Sequence, residues 1–249
     1  MRVMTWNLQG SHGVDIAAVA AVVRAAAPDV LALQEVQRRQ VERLAGALAM
    51  PSRCWVLKHW PVVHRAEGLA VLTPHPLVEA RRFVLRRSWI WGWRRRVGVD
   101  VTVRTGAGPV RVIDVHLSPH DHGAHRLREV RVLLAHAGRS PVPPVVVGDL
   151  NELPGGGALG ELATAGWRDA WAAVHDDDGA TNWTGGRRGG RPPTQRIDYV
   201  LVPPGADVGS AVVIRGPHGD GADHVDAMAE LSDHLPLVVE LRLAPGGAA

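Results

Sequence analysis

Carboxylate, carboxamide and imidazole side chains recur where short apolar segments of the sequence end. The set comprises Asn7, Glu35, His116, Asp149, Asn151, Asp198, Asp233 and His234. Asp149 and Asn151 stand two residues apart, and side chains with that spacing on extended chain point the same way. The carboxylate could then activate a water molecule while the amide holds a phosphate oxygen. Each residue taken alone also fits an ordinary turn or cap, where Asn and Asp are common.

Other members of this set suggest metal and proton chemistry. Glu35 offers a hard carboxylate oxygen, which Mg²⁺ or Mn²⁺ prefers together with substrate phosphate and water. Asp233 places an acid next to the imidazole of His234. Asp198 could hydrogen-bond a histidine and fix its tautomer. These residue types indicate a metal-assisted site that handles phosphate.

The elements that position these residues are mainly strands. Apolar alternation or continuous apolar runs predict strands at 2–8, 30–33, 68–72, 97–103, 110–116, 144–147, 197–202, 210–214 and 237–243. Helical spacing predicts helices at 14–27, 36–49, 121–138 and 155–165. We therefore expect an α+β domain over residues 1–244, with two mostly antiparallel sheets packed face to face and helices outside, and a disordered tail at 245–249.

Composition sets broad limits on what the protein is. The 249 residues are 46% hydrophobic, which is enough for a large core. Lys58 is the only lysine, so arginine supplies nearly all the positive charge. Arginine binds phosphate through a planar fork, although an arginine-rich genome gives the same composition. Cys54 is the only cysteine, which excludes an internal disulfide and favours a cytoplasmic protein. No apolar run approaches 18 residues, so we expect no membrane span. We also expect a monomer.

Six short motifs in a fixed order resemble the endonuclease/exonuclease/phosphatase superfamily. They are Thr5-Trp-Asn7-Leu, Leu33-Gln-Glu35-Val, Asp114-Val-His116-Leu-Ser, Gly148-Asp149-Leu-Asn151, Arg196-Ile-Asp198-Tyr and Ser232-Asp233-His234. Single motifs of this length are weak, whereas the ordered set from residue 5 to residue 234 is specific. The resemblance implies a four-layer α/β/β/α sandwich that hydrolyses phosphoesters with Mg²⁺ or Mn²⁺.

The resemblance also implies roles for the matching residues. Glu35 would be the main metal ligand, with Asn7 and Asp233 close to the ion. Asp149 would orient and activate the attacking water, and Asn151 would hold a non-bridging phosphate oxygen.

The remaining roles concern imidazoles and their carboxylate partners. His234 would contact the phosphate, supported by Asp198. His116 matches a histidine of the deoxyribonuclease and sphingomyelinase branches, where abasic-site endonucleases tend to carry tyrosine. Glu67 resembles the carboxylate that pairs with this histidine, although it also fits a solvated strand start.

The substrate stays open at this stage. Basic clusters and His116 favour a nuclease acting on nucleic acid. A small or lipid phosphoester, such as a phosphoinositide or a sphingomyelin-like lipid, is the alternative, and a non-catalytic binding module is a third. The Arg/Trp-rich segment 81–96 and the Gly/Arg-rich loop 176–195 could contact substrate or could serve packing and connection.

Overall fold

A computed structural model describes residues 1–59, 66–87, 95–184, 191–216 and 224–243. The strands in these ranges are β1 (Arg2–Asn7), β2 (Val30–Val36), β3 (Ser52–His59), β4 (Glu67–Thr73), β5 (Leu77–Arg87), β6 (Arg95–Thr105), β7 (Gly108–His116), β8 (Val145–Asp149), β9 (Arg168–Asp169), β10 (Asp198–Val202), β11 (Asp207–Val213) and β12 (Leu237–Arg242). The helices are α1 (Ile16–Ala26), α2 (Arg38–Leu48), α3 (Gly123–Ala137), α4 (Gly157–Thr164) and α5 (Val225–Leu231).

Three predictions fall wholly or partly outside the described residues. The three tryptophans of the Arg/Trp-rich segment lie in 88–94, the centre of the Gly/Arg-rich loop is 185–190, and the predicted tail is 245–249.

The strands form two six-stranded sheets with matching arrangements. The first runs β11-β12-β1-β2-β4-β3 and the second β5-β6-β7-β8-β10-β9. Each sheet has one parallel pair in its middle, β1 with β2 and β7 with β8, and its other pairs are antiparallel. Each parallel pair is connected through a helix, α1 or α3, as parallel strands require a crossover. The prediction of two mostly antiparallel sheets is confirmed.

Two apolar cores hold the layers together. Valine and leucine side chains of both sheets form one core, which continues beneath α1 and α2 and also includes residues of α5. A second core lies between the second sheet and helices α3 and α4. The layer order is therefore helices, sheet, sheet, helices, as the four-layer prediction states. None of the helices in the described ranges is both long and apolar enough to cross a membrane.

Three strands were missed by the sequence-based prediction, and one of them, β9, is only two residues long. The other two were missed for different reasons. β5 is an edge strand whose residues are largely exposed and include four arginines, so it lacks an apolar pattern. β3 also lies at a sheet edge, and its alternation is interrupted by the buried Lys58. Lysine is rarely buried without a partner, so its presence argued against a half-buried strand.

Candidate active site

The two parallel strand pairs deliver four of the predicted residues to one edge of the sandwich. Asn7 ends β1 and lies in register with Gln34, next to Glu35 in β2. His116 ends β7 and is the register partner of Asp149, which ends β8. Parallel neighbours carry their carboxyl ends at the same edge, so the topology itself gathers these side chains.

Antiparallel neighbours add residues from the amino ends of strands. Asp198 begins β10 directly opposite Asp149, and Glu67 begins β4 beside β2. Asp233 and His234 lie a few residues before β12, which pairs with β1. A strand that starts beside the end of its antiparallel partner brings its first residues to the same rim. All nine predicted residues, including Asn151 after β8, therefore lie at strand ends around this rim.

The backbone at the rim adopts conformations that few residues tolerate. Glu35 has φ 52° and Asn151 has φ 50°, both in the left-handed region. Gly148 has φ 131°, and a β-carbon there would overlap the carbonyl oxygen of Val115. Glycine at this position lets β8 approach β7 closely, which sets Asp149 beside His116. Strained backbone of this kind concentrates at functional sites.

Asp149 is the most connected carboxylate of the site. Its Oδ2 atom accepts a hydrogen bond from Nδ2 of Asn7 at 3.0 Å, and its Oδ1 atom accepts one from the backbone N–H of Asn151 at 2.9 Å. Nε2 of His116 lies 3.5 Å from Oδ2 and Nε2 of His234 lies 3.9 Å from it. Burial raises the pKa of Asp149 to about 6, although the charge of His234 opposes the rise. This carboxylate is held in place and poised to exchange a proton near neutral pH.

His234 forms a buried dyad with Asp198. Its Nδ1 atom lies 2.8 Å from Oδ2 of Asp198, which also accepts a hydrogen bond from Oγ1 of Thr181 at 2.7 Å. Burial lowers the pKa of His234, but the charge and hydrogen bond of Asp198, with Asp149 and Asp233 nearby, raise it to about 10. The imidazole is therefore cationic at neutral pH, and its Nε2 atom lies on the side of Asp149 and Asp233.

Lys58 occupies the site although the sequence-based prediction gave it no role. The side chain is 4% exposed, and its Nζ atom lies 3.3 Å from Oε1 of Glu35 and 3.1 Å from Nδ1 of His116. Burial and the charge of Arg96 lower its pKa to about 8, against the opposing effect of the carboxylates. The signal that could have found it is its uniqueness, because one lysine in an arginine-rich chain stands out.

The other predicted residues have the following contacts. Oε1 of Glu67 accepts the backbone N–H of Ser11 at 3.0 Å, and burial raises the pKa of Glu67. Oδ2 of Asp233 accepts Nε2 of Gln9 at 2.6 Å. Nδ2 of Asn151 donates to the carbonyl oxygen of Leu117 at 3.2 Å. The pairing of Glu67 with His116 stays a prediction, because the contacts seen at Nδ1 of that imidazole are with Lys58 at 3.1 Å and with Glu35 at 3.7 Å.

The donor atoms of the site suit a divalent cation. Ligand atoms of Asp149, Asp198 and His234 lie within 4.8 Å of one another. Nδ1 of His234 is engaged by Asp198, however, so these three residues work better as a hydrogen-bonded relay than as a closed metal cage. Glu35 is better placed for an ion, because its carboxylate is 24% exposed and offers hard oxygen atoms. A magnesium-type ion held chiefly by Glu35 fits this chemistry.

A cationic cleft opens beside Glu35. Its cavity volume is about 320 Å³ and it is lined by Glu35, Lys58, Glu67, Arg86, Arg95, Arg96, Pro119 and His122. Arginine and lysine thus face the same space as the predicted metal ligand. The positive potential of such a cleft attracts anions.

Comparison with known proteins identifies the family and the fold. Residues 4–234 match the model of the endonuclease/exonuclease/phosphatase family. A crystal structure of an endonuclease/exonuclease/phosphatase from Beutenbergia cavernae superposes with a TM-score of 0.77 at 28% identity, covering 100% of this chain and 73% of the other. No curated protein is a significant match to the sequence.

Two more distant structures share the fold. The mannosyl-6-phosphatase Bt3783 of Bacteroides thetaiotaomicron has a TM-score of 0.74 at 16% identity, covering 98% of this chain and 100% of its own. D. rerio TDP2, complexed with a single-strand DNA product, has a TM-score of 0.69 at 18% identity, covering 97% of this chain and 98% of its own. With a family match over residues 4–234, the chain belongs to the endonuclease/exonuclease/phosphatase family, whose members are phosphoesterase hydrolases.

Proposed function

We propose that the protein is a divalent-metal-dependent phosphodiester hydrolase that acts as a nuclease. The observation that carries the proposal is the position of Asp149, a buried carboxylate held by Asn7 and by the backbone of Asn151 between two imidazoles. Its raised pKa suits a general base near neutral pH. One carboxylate that is both restrained and basic is what activation of a water molecule requires.

The roles of the protein groups follow from this arrangement. Asp149 takes a proton from the water as it attacks phosphorus in line with the leaving oxygen. The cationic His234, oriented by Asp198, stabilises negative charge on the phosphate oxygens. An Mg²⁺ or Mn²⁺ ion at Glu35, with Asn7 and Asp233 nearby, would supply Lewis-acid stabilisation of the same charge. Asn151 and His116 complete the set that surrounds the phosphate.

The choice of nucleic acid rests on charge. The cleft beside Glu35 is lined by Lys58, Arg86, Arg95 and Arg96, and nucleic acids are recognised first through their phosphates. The structural neighbour TDP2 is complexed with single-strand DNA, which shows that this fold accommodates a nucleic-acid strand. On the ground of the single cysteine we also propose a cytoplasmic location, and we expect a monomer.

A small phosphoester is the second candidate. The cavity of about 320 Å³ lies near the lower limit of small-molecule sites, so a compact phosphorylated compound would fill it. A neighbour of the same fold is named a mannosyl-6-phosphatase.

A substrate screen tests the proposal and separates the two candidates. Wild-type protein and Asp149→Ala are incubated with Mg²⁺ or Mn²⁺ and with plasmid DNA, RNA, bis-p-nitrophenyl phosphate or a phosphoinositide. We expect metal-stimulated cleavage of a nucleic acid by the wild type alone, with an affinity that falls as salt rises. Cleavage restricted to the phosphoinositide would favour the second candidate. A folded wild-type protein that cleaves nothing would contradict both.

A further inference from the structure

The cleft beside Glu35 contains more positive charge than its carboxylates require. Lys58, Arg86, Arg95 and Arg96 line it, against Glu35 and Glu67. These four cations come from three strands, β3, β5 and β6, so they are brought together by the tertiary fold. Burying several like charges side by side is unfavourable unless an anion joins them.

Arg86 is held in place by an ion pair with a buried carboxylate. Its Nε atom donates to Oε1 of Glu129 at 3.0 Å, and Glu129 is fully buried. Both carboxylate oxygens of Glu129 also bind Ser118, through the hydroxyl at 2.6 Å and the backbone N–H at 2.8 Å. Glu129 therefore orients Arg86 at the wall of the cleft and balances its charge.

For Arg95 and Arg96, the described ranges contain no carboxylate fixed in this way. Nε of Arg95 and Nη1 of Arg96 are buried and have no hydrogen-bond partner among the residues that the structure describes. A buried guanidinium N–H without an acceptor is costly, typically about 1–3 kcal/mol and more for a charged group. Burial also lowers the pKa of Arg96, although the charges of Glu129, Glu35 and Asp149 oppose this. Both arginines line the cleft, where an anion would offset their positive charge.

His116 separates the His234–Asp198 dyad from the cationic cluster, which consists of Lys58, Arg86, Arg95 and Arg96. One imidazole nitrogen of His116 lies 3.5 Å from Asp149, and the other lies 3.1 Å from Lys58. The imidazole ring of His116 therefore lies between Asp149 and Lys58, with one ring nitrogen close to each of them. A phosphate attacked at Asp149 and an anion held by Lys58 and Arg96 would be neighbours within one substrate.

We propose that Lys58, Arg95 and Arg96 form a subsite for a second phosphate of the substrate, adjacent to the scissile one. The proposal rests on the proposed function and adds to it a preference for substrates that carry at least two phosphates. Arginine suits this role because its fork of donors matches two phosphate oxygens at once. A terminal phosphomonoester satisfies the cluster best, since it carries more charge than an internal diester phosphate.

Paired substrates test the preference directly. A dinucleotide with hydroxyls at both ends is compared with the same dinucleotide carrying a 5′-phosphate or a 3′-phosphate, and kcat/KM is measured for each. We expect one of the phosphorylated forms to be preferred by about tenfold or more, the equivalent of one charge-assisted hydrogen bond. Equal kcat/KM values for the three dinucleotides would overturn the inference.

Variants link that preference to the arginine. Arg96→Gln should reduce the preference for the terminal phosphate about tenfold, and Arg96→Lys should keep part of it because the charge remains. The exposed Arg43 serves as the matched control, and Arg43→Gln should keep the preference unchanged. If Arg96→Gln fails to fold by circular dichroism, Arg95→Gln takes its place. An undiminished preference in the folded variant would overturn the assignment.

A binding measurement separates this inference from the proposed hydrolysis. Pyrophosphate is titrated by calorimetry into metal-free Asp149→Asn and into Asp149→Asn/Arg96→Gln. We expect the second variant to bind about tenfold more weakly. Pyrophosphate binding that depends on Arg96, together with a folded wild-type protein that cleaves no phosphoester of the screen, would refute the hydrolase and keep the anion subsite. Cleavage of dinucleotides with no such binding would refute the subsite and keep the hydrolase.

Discussion

Nδ1 of His234 lies 2.8 Å from Oδ2 of Asp198, and both side chains are buried at the rim, where Asp198 begins β10 of the second sheet and His234 precedes β12 of the first. Asp198 pairs in register with Asp149 on the adjacent strand. Asp198 is therefore placed to hold the tautomer and charge of His234, and Asp149 is the base that the imidazole faces. This relation yields a prediction about pH.

Asp198→Asn should move the alkaline limit of activity to lower pH. Burial lowers the pKa of His234, and Asp198 contributes most to the opposing effect that raises it to about 10, so removal of this carboxylate destabilises the imidazolium and the pKa falls. Activity that needs the cationic form is then lost at a lower pH than in the wild type, with a reduction in kcat/KM of about 10–100-fold at neutral pH. The profile of kcat/KM and an NMR titration of His234 in the metal-free protein measure the two effects.

The surface pair of His75 and Asp29 provides the control for that experiment. Their side chains lie 3.2 Å apart and are partly exposed. Asp29→Asn removes a carboxylate from a histidine without touching the site, so the activity profile should keep its shape. An Asp198→Asn profile identical to that of wild type would show that His234 does not act as a cation.

Glu35→Gln should weaken the response to metal more than it damages the fold. The variant keeps the shape of the side chain and loses the charge that a divalent cation requires. We expect the Mg²⁺ concentration for half-maximal activity to rise about 10–100-fold or more. Glu42→Gln, on an exposed helix position, serves as the matched change and should leave the Mg²⁺ requirement unaltered. A Glu35→Gln protein with the wild-type requirement would remove Glu35 from the metal site.

Gly148→Ala should destabilise the protein strongly. Alanine there meets both an unfavourable φ of 131° and overlap with the carbonyl oxygen of Val115. We expect a loss of about 3 kcal/mol or more in the free energy of unfolding, measured by urea denaturation.

Gly46→Ala is the opposite case and serves as the reference. Gly46 lies within α2 with open space where a β-carbon would stand, so alanine should stabilise the helix by about 0.5–1 kcal/mol. A Gly148→Ala protein that unfolds at the wild-type urea concentration would contradict the close approach of β8 to β7.

The strand ends that form the site could be predicted, because valine-rich runs indicate the strands that lead to them. The continuous run from Val145 to Val147 and the alternation from Val110 to Val115 indicate buried strands, and the polar residues that follow mark their ends. The order of the motifs then indicated the fold. Local pattern and motif order agree here, which is why the four-layer architecture was predictable.

The part of the site that escaped prediction depends on tertiary pairing. Lys58 sits in an edge strand, and only the fold brings Glu35 and His116 within reach of its ammonium group. Arg86 likewise depends on Glu129, which lies in α3, 43 residues further along the chain. A single sequence shows the residue types but not which distant charge will make their burial tolerable.

In the proposed mechanism, Asp149 activates water for attack on phosphorus. Two conservative variants test this role directly. Hydrolysis of bis-p-nitrophenyl phosphate with Mg²⁺ or Mn²⁺ is measured for the wild type, for Asp149→Asn and for Asp207→Asn, which alters an exposed aspartate of β11. We expect metal-dependent release by wild type and Asp207→Asn, and a loss of about 10²–10⁴-fold in folded Asp149→Asn. Near wild-type release by Asp149→Asn would contradict this role.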